Sequence, residues 1–160
     1  MATIKKLGMG RHQYGGFTPD GNLTTYRAQL VTLASGAASN SDTTGTALGI
    51  GDVVYLERLP QGMVLEDAMT IVSTGLTAAV TCSLGFAYID GVDDATVPQD
   101  PAYFGAGIAL SAAARIRATG TKAPVKLPKE AYLTATIAGA ANAKAGQVDF
   151  IVRGERMGPQ

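Results

Sequence analysis

The sequence predicts an all-β protein, a jelly-roll β-sandwich of about eight antiparallel strands with an extended N-terminal arm. Three observations predict this class. Apolar residues alternate with small or polar ones over several short segments, turn residues separate these segments, and Gly is abundant, with 20 among 160 residues. The segments do not alternate with long helical patterns, which disfavours a doubly wound α/β fold. An immunoglobulin-like sandwich stays open, although the Trp and the cysteine pair that mark such domains are absent.

The chain divides into an arm, residues 1–22, and a sandwich domain, residues 23–160. Five glycines break any periodicity in the arm, and the turn signal Asp20-Gly21-Asn22 closes it. The predicted strands of the domain are residues 23–33, 52–59, 64–73, 80–88, 103–110, 122–127, 130–137 and 147–153.

The clearest alternation lies in residues 80–88, where large apolar residues take every second position and small ones lie between them. The segments 130–137 and 147–153 show the same period of two, so one face of each is predicted to be buried.

Two segments are less regular. In residues 64–73 one face is predicted to hold three apolar side chains, those of Leu65, Met69 and Ile71. Residues 103–110 predict a strand, but the alanines of residues 109–118 also favour a short helix, and both interpretations stay open.

The charge balance excludes several classes of partner. The chain has 13 basic and 13 acidic residues, so its formal net charge is zero. Proteins that bind nucleic acid usually carry a basic surplus, and we therefore expect no direct nucleic-acid partner. No segment approaches the roughly 18 to 20 apolar residues of a membrane helix, and no apolar run follows the N-terminus, so we expect neither a membrane partner nor a secretion signal.

Residues suited to catalysis are scarce. His12 is the single histidine and lies in the glycine-rich arm, where neighbours cannot hold it in a fixed orientation, so we interpret it as an exposed or interface residue. Cys82 is the single cysteine and occupies an apolar position of its strand, which predicts core packing and excludes an intramolecular disulfide. We therefore predict a protein that is not an enzyme and has no cofactor or metal.

An acidic loop is the best candidate for a cation site. Asp90, Asp93 and Asp94 are closely spaced, with Asp100 further along the chain. Calcium binds several carboxylate oxygens, but this spacing differs from that of an EF-hand loop. The pattern favours a solvated turn over a calcium site.

Three segments carry a resemblance to a known family: GIGDVVYLERLPQGMVLEDAMTIVSTGLTAAVTCSLGFAYIDG at residues 49–91, LPKEAYLTATIAGA at 127–140, and GQVDFIVRGE at 146–155. Over roughly residues 20 to 155, the chain resembles the small structural proteins encoded beside the major capsid protein in tailed phages. It looks most like the cement proteins of the Bordetella podophage group. The resemblance is one of pattern and brings no catalytic residues.

The resemblance implies a virion structural protein made in the host cytoplasm and bound to the capsid surface. Its partners would be the major capsid protein and further copies of itself, as a homodimer or alternatively a trimer. Bridging of neighbouring capsid proteins would stabilise the shell. The candidate contact residues in this sequence are four basic-type residues of the arm and two apolar residues: Lys5, Lys6, Arg11, His12, Ile89 and Ile151.

Other functions remain open. The chain could be a head–tail or tail component of a virion, which composition does not distinguish from a capsid protein. It could also be a jelly-roll module that binds a ligand or carbohydrate, although aromatic residues make up only 6% of the sequence and Trp is absent. A cupin-type enzyme shares the fold class but needs several His or Glu metal ligands.

Overall fold

The computed structural model describes residues 1–7, 23–43 and 45–156. Within these ranges the chain forms ten strands and no helix, so none of the described residues belongs to a helix that could cross a membrane. The strands are β1 (Thr3–Lys5), β2 (Leu23–Thr32), β3 (Val53–Leu59), β4 (Met63–Thr74), β5 (Thr81–Tyr88), β6 (Asp100–Ala109), β7 (Ala114–Arg117), β8 (Val125–Lys126), β9 (Ala131–Ala138) and β10 (Gly146–Arg156). The predicted all-β class is confirmed.

The strands form two sheets. Sheet one has the order β1-β3-β9-β5-β6, and sheet two has the order β2-β10-β4-β7, with the short β8 also pairing with β4. All of these pairings are antiparallel except the pairing of β1 with β3, which is parallel. Without β1 and β8, the order is that of two interlocked Greek keys, which is the connectivity of a jelly roll.

The inner faces of the two sheets form the core. The apolar positions predicted by alternation in β5 and β10 are buried: Cys82, Leu84, Phe86, Tyr88, Val148, Phe150 and Val152. Tyr103 of β6 crosses the core, since its ring packs edge-on against Phe86 with centroids 5.6 Å apart. Its hydroxyl donates to the carbonyls of Leu65 at 3.2 Å and Ala123 at 2.9 Å. One aromatic residue therefore connects the two sheets.

The predicted face of β4 is wrong beyond its first residues. Leu65 is buried, but a register shift against β10 places Glu66 as an extra residue in β4. A bulge of this kind reverses which side chains point inward. Met69 and Ile71 consequently lie half-exposed on the outer face of sheet two.

The segment after β6 is a strand rather than a helix. Residues 109–118 comprise the end of β6, a turn and β7, which pairs with β4 and completes sheet two. Its short sequence Ala-Arg-Ile-Arg does not predict a strand by itself. The predicted strand 122–127 shortens to β8, which pairs with β4 at two positions.

One end of the sandwich is fastened by Asn142, whose side chain is buried. Its Oδ1 accepts hydrogen bonds from the backbone amide and hydroxyl of Thr77, each at 3.1 Å. Its Nδ2 donates to the carbonyls of Gly36 at 3.2 Å and Lys144 at 2.8 Å. Three loops that connect the sheets are therefore held together by one amide.

Candidate functional site: the outer faces of the two sheets

The outer face of sheet two combines an apolar centre with flanking arginines. The cross-strand register aligns Arg27, Ile151, Met69 and Arg117 in one row, and Gln29, Asp149, Ile71 and Arg115 in the next. Arg153 and Asp67 are neighbours in a third row. These three rows are called the arginine face below. Strand twist and pairing alone bring its residues together, because they come from four separate strands.

Asp149 lies in the middle of the arginine face with its side chain only 8% exposed. Arg27 donates to its Oδ1 from Nη2 at 2.9 Å and from Nε at 3.2 Å, and Gln29 donates to the same oxygen at 3.1 Å. Burial by itself would raise the pKa of Asp149, but hydrogen bonds from Arg27, Gln147 and Gln29 outweigh it and lower the pKa. The carboxylate is thus fixed in its charged form.

A second ion pair lies on the opposite side of the apolar centre. Arg117 of β7 donates to Asp67 of β4, with Nε and Nη2 at 3.1 and 3.0 Å from Oδ2. The Arg117 side chain is 76% exposed, so solvent screens this pair more than the Asp149 pair. Both pairs hold an arginine flat along the sheet.

Two further arginines of this face lack such a pair. Arg115 and Arg153 are exposed, and among the described residues no carboxylate forms an ion pair with either one. Arg115 contacts the sulfur of Met69, with Nη1 3.6 Å from Sδ. Their guanidinium groups are available to an external carboxylate.

The outer face of sheet one has a different chemistry. Tyr55 and Tyr132 stack with ring centroids 4.6 Å apart, and Lys5 and Arg58 each lie 5.9 Å from one of the rings. The positions beside them on β5 carry small side chains: Thr81, Ser83, Gly85 and Ala87. The neighbouring Thr134 is buried, and its hydroxyl has no hydrogen-bond partner among the described residues. The residues named here include two charged side chains, those of Lys5 and Arg58, against six in the arginine face.

The two lysines predicted as contacts have unequal roles. Lys5 is exposed at the edge of sheet one, beside Tyr55. Lys6 points toward the other sheet, where its Nζ donates to the carbonyl of Gln29 on β2. Burial lowers the pKa of Lys6, against the opposing influence of Glu57 and Asp149. Lys6 therefore joins the edges of the two sheets.

The predicted contacts Arg11 and His12 lie outside the described residues, as does most of the predicted arm, residues 8–22. Within residues 1–7 the chain contributes β1 to sheet one. The arm and its two contacts stay predictions.

The two apolar contact candidates lie on different sheets. Ile151 is half-buried in the centre of the arginine face, next to Met69 in the register. Ile89 is half-buried just beyond the end of β5 in sheet one, and its backbone amide donates to the carbonyl of Glu130 at 3.2 Å. The structure does not bring them into one surface.

The acidic loop uses its carboxylates internally. Asp90 pairs with Lys129 at 2.8 Å, and this hydrogen bond lowers the pKa of Asp90. Asp93 accepts from the amide of Gln99 at 2.7 Å, and Asp94 from the amide of Thr96 at 2.8 Å. In the part of the chain that the structure describes, no three His, Cys, Asp or Glu side chains converge as a metal site would require.

Sequence reasoning did not single out the arginine face. The available signal was the polar side of two alternating strands, Arg27-x-Gln29 in β2 and Gln147-x-Asp149-x-Ile151-x-Arg153 in β10. Only the topology shows that β2 and β10 are neighbours and that β4 connects them to β7.

Comparison with known proteins gives similarity in structure but not in sequence. No protein-family profile matches the chain, and no curated protein matches it. The fold is similar to a chain in the structure of the capsid of Ralstonia phage GP4, with a TM-score of 0.66, 18% identity, and coverage of 99% of this chain and 100% of that one. It is also similar to a chain in the capsid asymmetric unit of cyanophage Pam1, with a TM-score of 0.57, 15% identity, and coverage of 88% and 89%. At these identities, the similarity establishes a shared fold.

Proposed function

We propose that this protein is a non-enzymatic structural protein of a virion, which binds the outside of a phage capsid and stabilises it by bridging neighbouring major capsid proteins. The observation that carries the proposal is the end-to-end match with a chain of a phage capsid structure, which covers 99% of this chain and 100% of that one.

The architecture suits a bridging role. Stacked sheets present two outer faces that point in opposite directions, about 10 Å apart plus the length of the side chains. A close-packed sandwich keeps the two faces in a fixed relation, so one subunit can contact two neighbours without flexing. Repetition of modest contacts over a symmetric shell produces a large total stabilisation.

The partners follow from the same proposal. The protein binds the major capsid protein and pairs with itself, as a homodimer or alternatively a trimer. It acts on the capsid surface of the virion, is made in the host cytoplasm, and makes no direct contact with nucleic acid. The zero net charge of the chain supports the last point, because nucleic-acid binding draws on a basic surplus.

The test is reconstitution. Shells of the cognate major capsid protein, stripped of accessory proteins, are mixed with the purified chain, sedimented and heated. We expect the chain to co-sediment at a fixed ratio and to raise the temperature at which the shells break. Light scattering on the isolated chain reports its oligomeric state. A chain that stays in the supernatant would refute the proposal.

The carbohydrate-binding alternative has one structural element to consider, the stacked pair Tyr55 and Tyr132. Sugars bind on open aromatic faces. Each of these rings gives one face to the other ring and has a cation 5.9 Å from its centroid. The pair is therefore better suited to rigidifying sheet one, and a glycan array is the direct check.

A further inference from the structure

We propose that the arginine face is the surface by which this protein docks, and that its partner is a flat protein surface rich in carboxylates. This inference rests on the proposed function, in which that partner surface belongs to the capsid shell. It assigns the docking contact to particular guanidinium groups, Arg115 and Arg153, and to an apolar centre formed by Ile151, Met69 and Ile71.

The first argument is charge. Four guanidinium groups and two carboxylates occupy the three rows of the face, and both carboxylates are already held by arginines of the same face. Arg115 and Arg153 remain exposed without an ion pair among the described residues. Since the whole chain is neutral, this local excess of positive charge belongs to the face and not to the protein in general. An acidic partner complements it.

The second argument is arrangement. Ile151 and Met69 lie side by side in the register, with Arg27 and Arg117 at the two ends of their row. Protein interfaces commonly have an apolar centre and a polar rim, with Met and Arg enriched. The pairs with Asp149 and Asp67 hold Arg27 and Arg117 against the sheet, so little side-chain entropy is lost when a partner covers the row.

A protein partner is favoured over the two other occupants. Nucleic acid would bring phosphates against the apolar centre and against Asp67 and Asp149, which is repulsive. A second copy packed face to face would bring Arg115 and Arg153 against a surface whose own aspartates are already paired. A carboxylate-bearing surface of a different protein has neither disadvantage.

The experiment measures binding of full-length variants to stripped shells by co-sedimentation at about 0.15 M ionic strength. The variants are Arg115→Glu, Arg153→Glu and the double variant. Because charge reversal turns attraction into repulsion, we expect each single change to weaken binding about tenfold and the double change to weaken it further. Wild-type binding should also fall as salt is added.

The matched control is Lys144→Glu, which reverses one exposed charge in the loop between β9 and β10, away from the arginine face. It should bind as the wild type does. Circular dichroism and thermal melting of every variant check that the fold is retained.

The outcomes separate the two proposals. If the wild type and the double variant bind shells equally well, the docking face is wrong while the decoration role stands. If the wild type does not bind shells, both are wrong. If the wild type instead binds a duplex DNA fragment at the same salt and the double variant does not, the arginine face is a nucleic-acid site and the inference is overturned.

Discussion

Arg27 and Asp149 meet across β2 and β10, where the guanidinium donates two hydrogen bonds to one carboxylate oxygen at 2.9 and 3.2 Å. The residues are 122 positions apart in the chain, so only the folded sandwich brings them together. The carboxylate is nearly buried while the guanidinium stays largely in solvent. Because of this difference in exposure, we expect the stability of the fold to depend more on Asp149 than on Arg27.

Asp149→Asn should lower the free energy of unfolding at pH 7 by about 1 to 3 kcal/mol, because charged hydrogen bonds are lost at a buried site. The folded-state pKa of Asp149 is lowered, so its contribution is present above the unfolded pKa of about 3.9 and disappears as pH falls through the folded value. Urea titrations of Asp149→Asn and the wild type at pH 7 and at a series of lower pH values measure both effects.

The control for this variant is Asp67→Asn, which removes the more exposed pair with Arg117. We expect a loss of about 1 kcal/mol or less. An equal loss of unfolding free energy in the two variants would contradict the assignment. So would a stability difference between Asp149→Asn and the wild type that does not shrink as the pH falls.

Cys82 should resist thiol reagents in the folded protein. It is fully buried, and burial raises its pKa to about 12, so thiolate is scarce at neutral pH. Labelling with a chromogenic disulfide reagent should be slow in buffer and complete within the mixing time in strong urea. Rapid labelling of the native protein would show that the β5 strand opens readily.

Gly85→Ala should destabilise the fold by about 2 to 3 kcal/mol through overpacking. A Cβ at this position would lie 2.0 Å from the carbonyl oxygen of Asp100, because the start of β6 crosses directly over the strand. Gly45→Ala is the control, since nothing lies within 4 Å of its added carbon, and its change should stay within about 0.5 kcal/mol. Thermal melts of both variants measure the two changes in stability.

Asn142→Ala should lower the free energy of unfolding by about 1 to 3 kcal/mol, because it removes the side-chain hydrogen bonds to Gly36 and Lys144 and leaves the Thr77 amide without its acceptor. The Gly36 and Lys144 carbonyls still accept hydrogen bonds from the Leu48 amide and the Thr32 hydroxyl. Gln61→Ala removes a side-chain bond to the carbonyl of Pro128 at an exposed turn and should be nearly neutral. Similar losses in the two variants would mean that the loops are not fastened by Asn142.

Ile151→Asp and Ile89→Asp should each weaken decoration of shells, and the double variant should block it while leaving the fold intact. Because Ile151 lies in sheet two and Ile89 directly follows a strand of sheet one, a subunit that bridges with both outer faces needs both. Shell sedimentation measures binding, and circular dichroism checks folding. Unchanged decoration by the double variant would remove both residues from the contact surface.

The sequence predicts strands well where the strand itself keeps a period of two, with no extra residue inserted in it. Alternation in β5 and β10 is visible locally, and the buried positions there agree with it. In β4 the alternation changes phase at Glu66, because the bulge arises from pairing with β10, which is distant in sequence. No local pattern around Met69 contains that information.

The candidate site was harder to predict than the fold. Arg27, Arg115 and Arg153 occupy three strands that become neighbours only through β4 and β10. The predicted contacts Lys5 and Lys6 were identified from local charge, yet Lys6 bonds its own chain at Gln29. Charged residues that are close in sequence need not be close on the sheet surface. The strand order decides which charged residues become neighbours there.

The position of β10 in sheet two determines when during synthesis the sheet can form. It lies between β2 and β4, so these two strands have no partner between them until β10 has been synthesised. Until then β2 and β4 expose unpaired edges, and every nascent copy offers them to its neighbours. Such non-local pairing makes folding slow. The chain therefore has its greatest tendency to aggregate in the interval before residues 146–156 have been synthesised and have paired with β2 and β4.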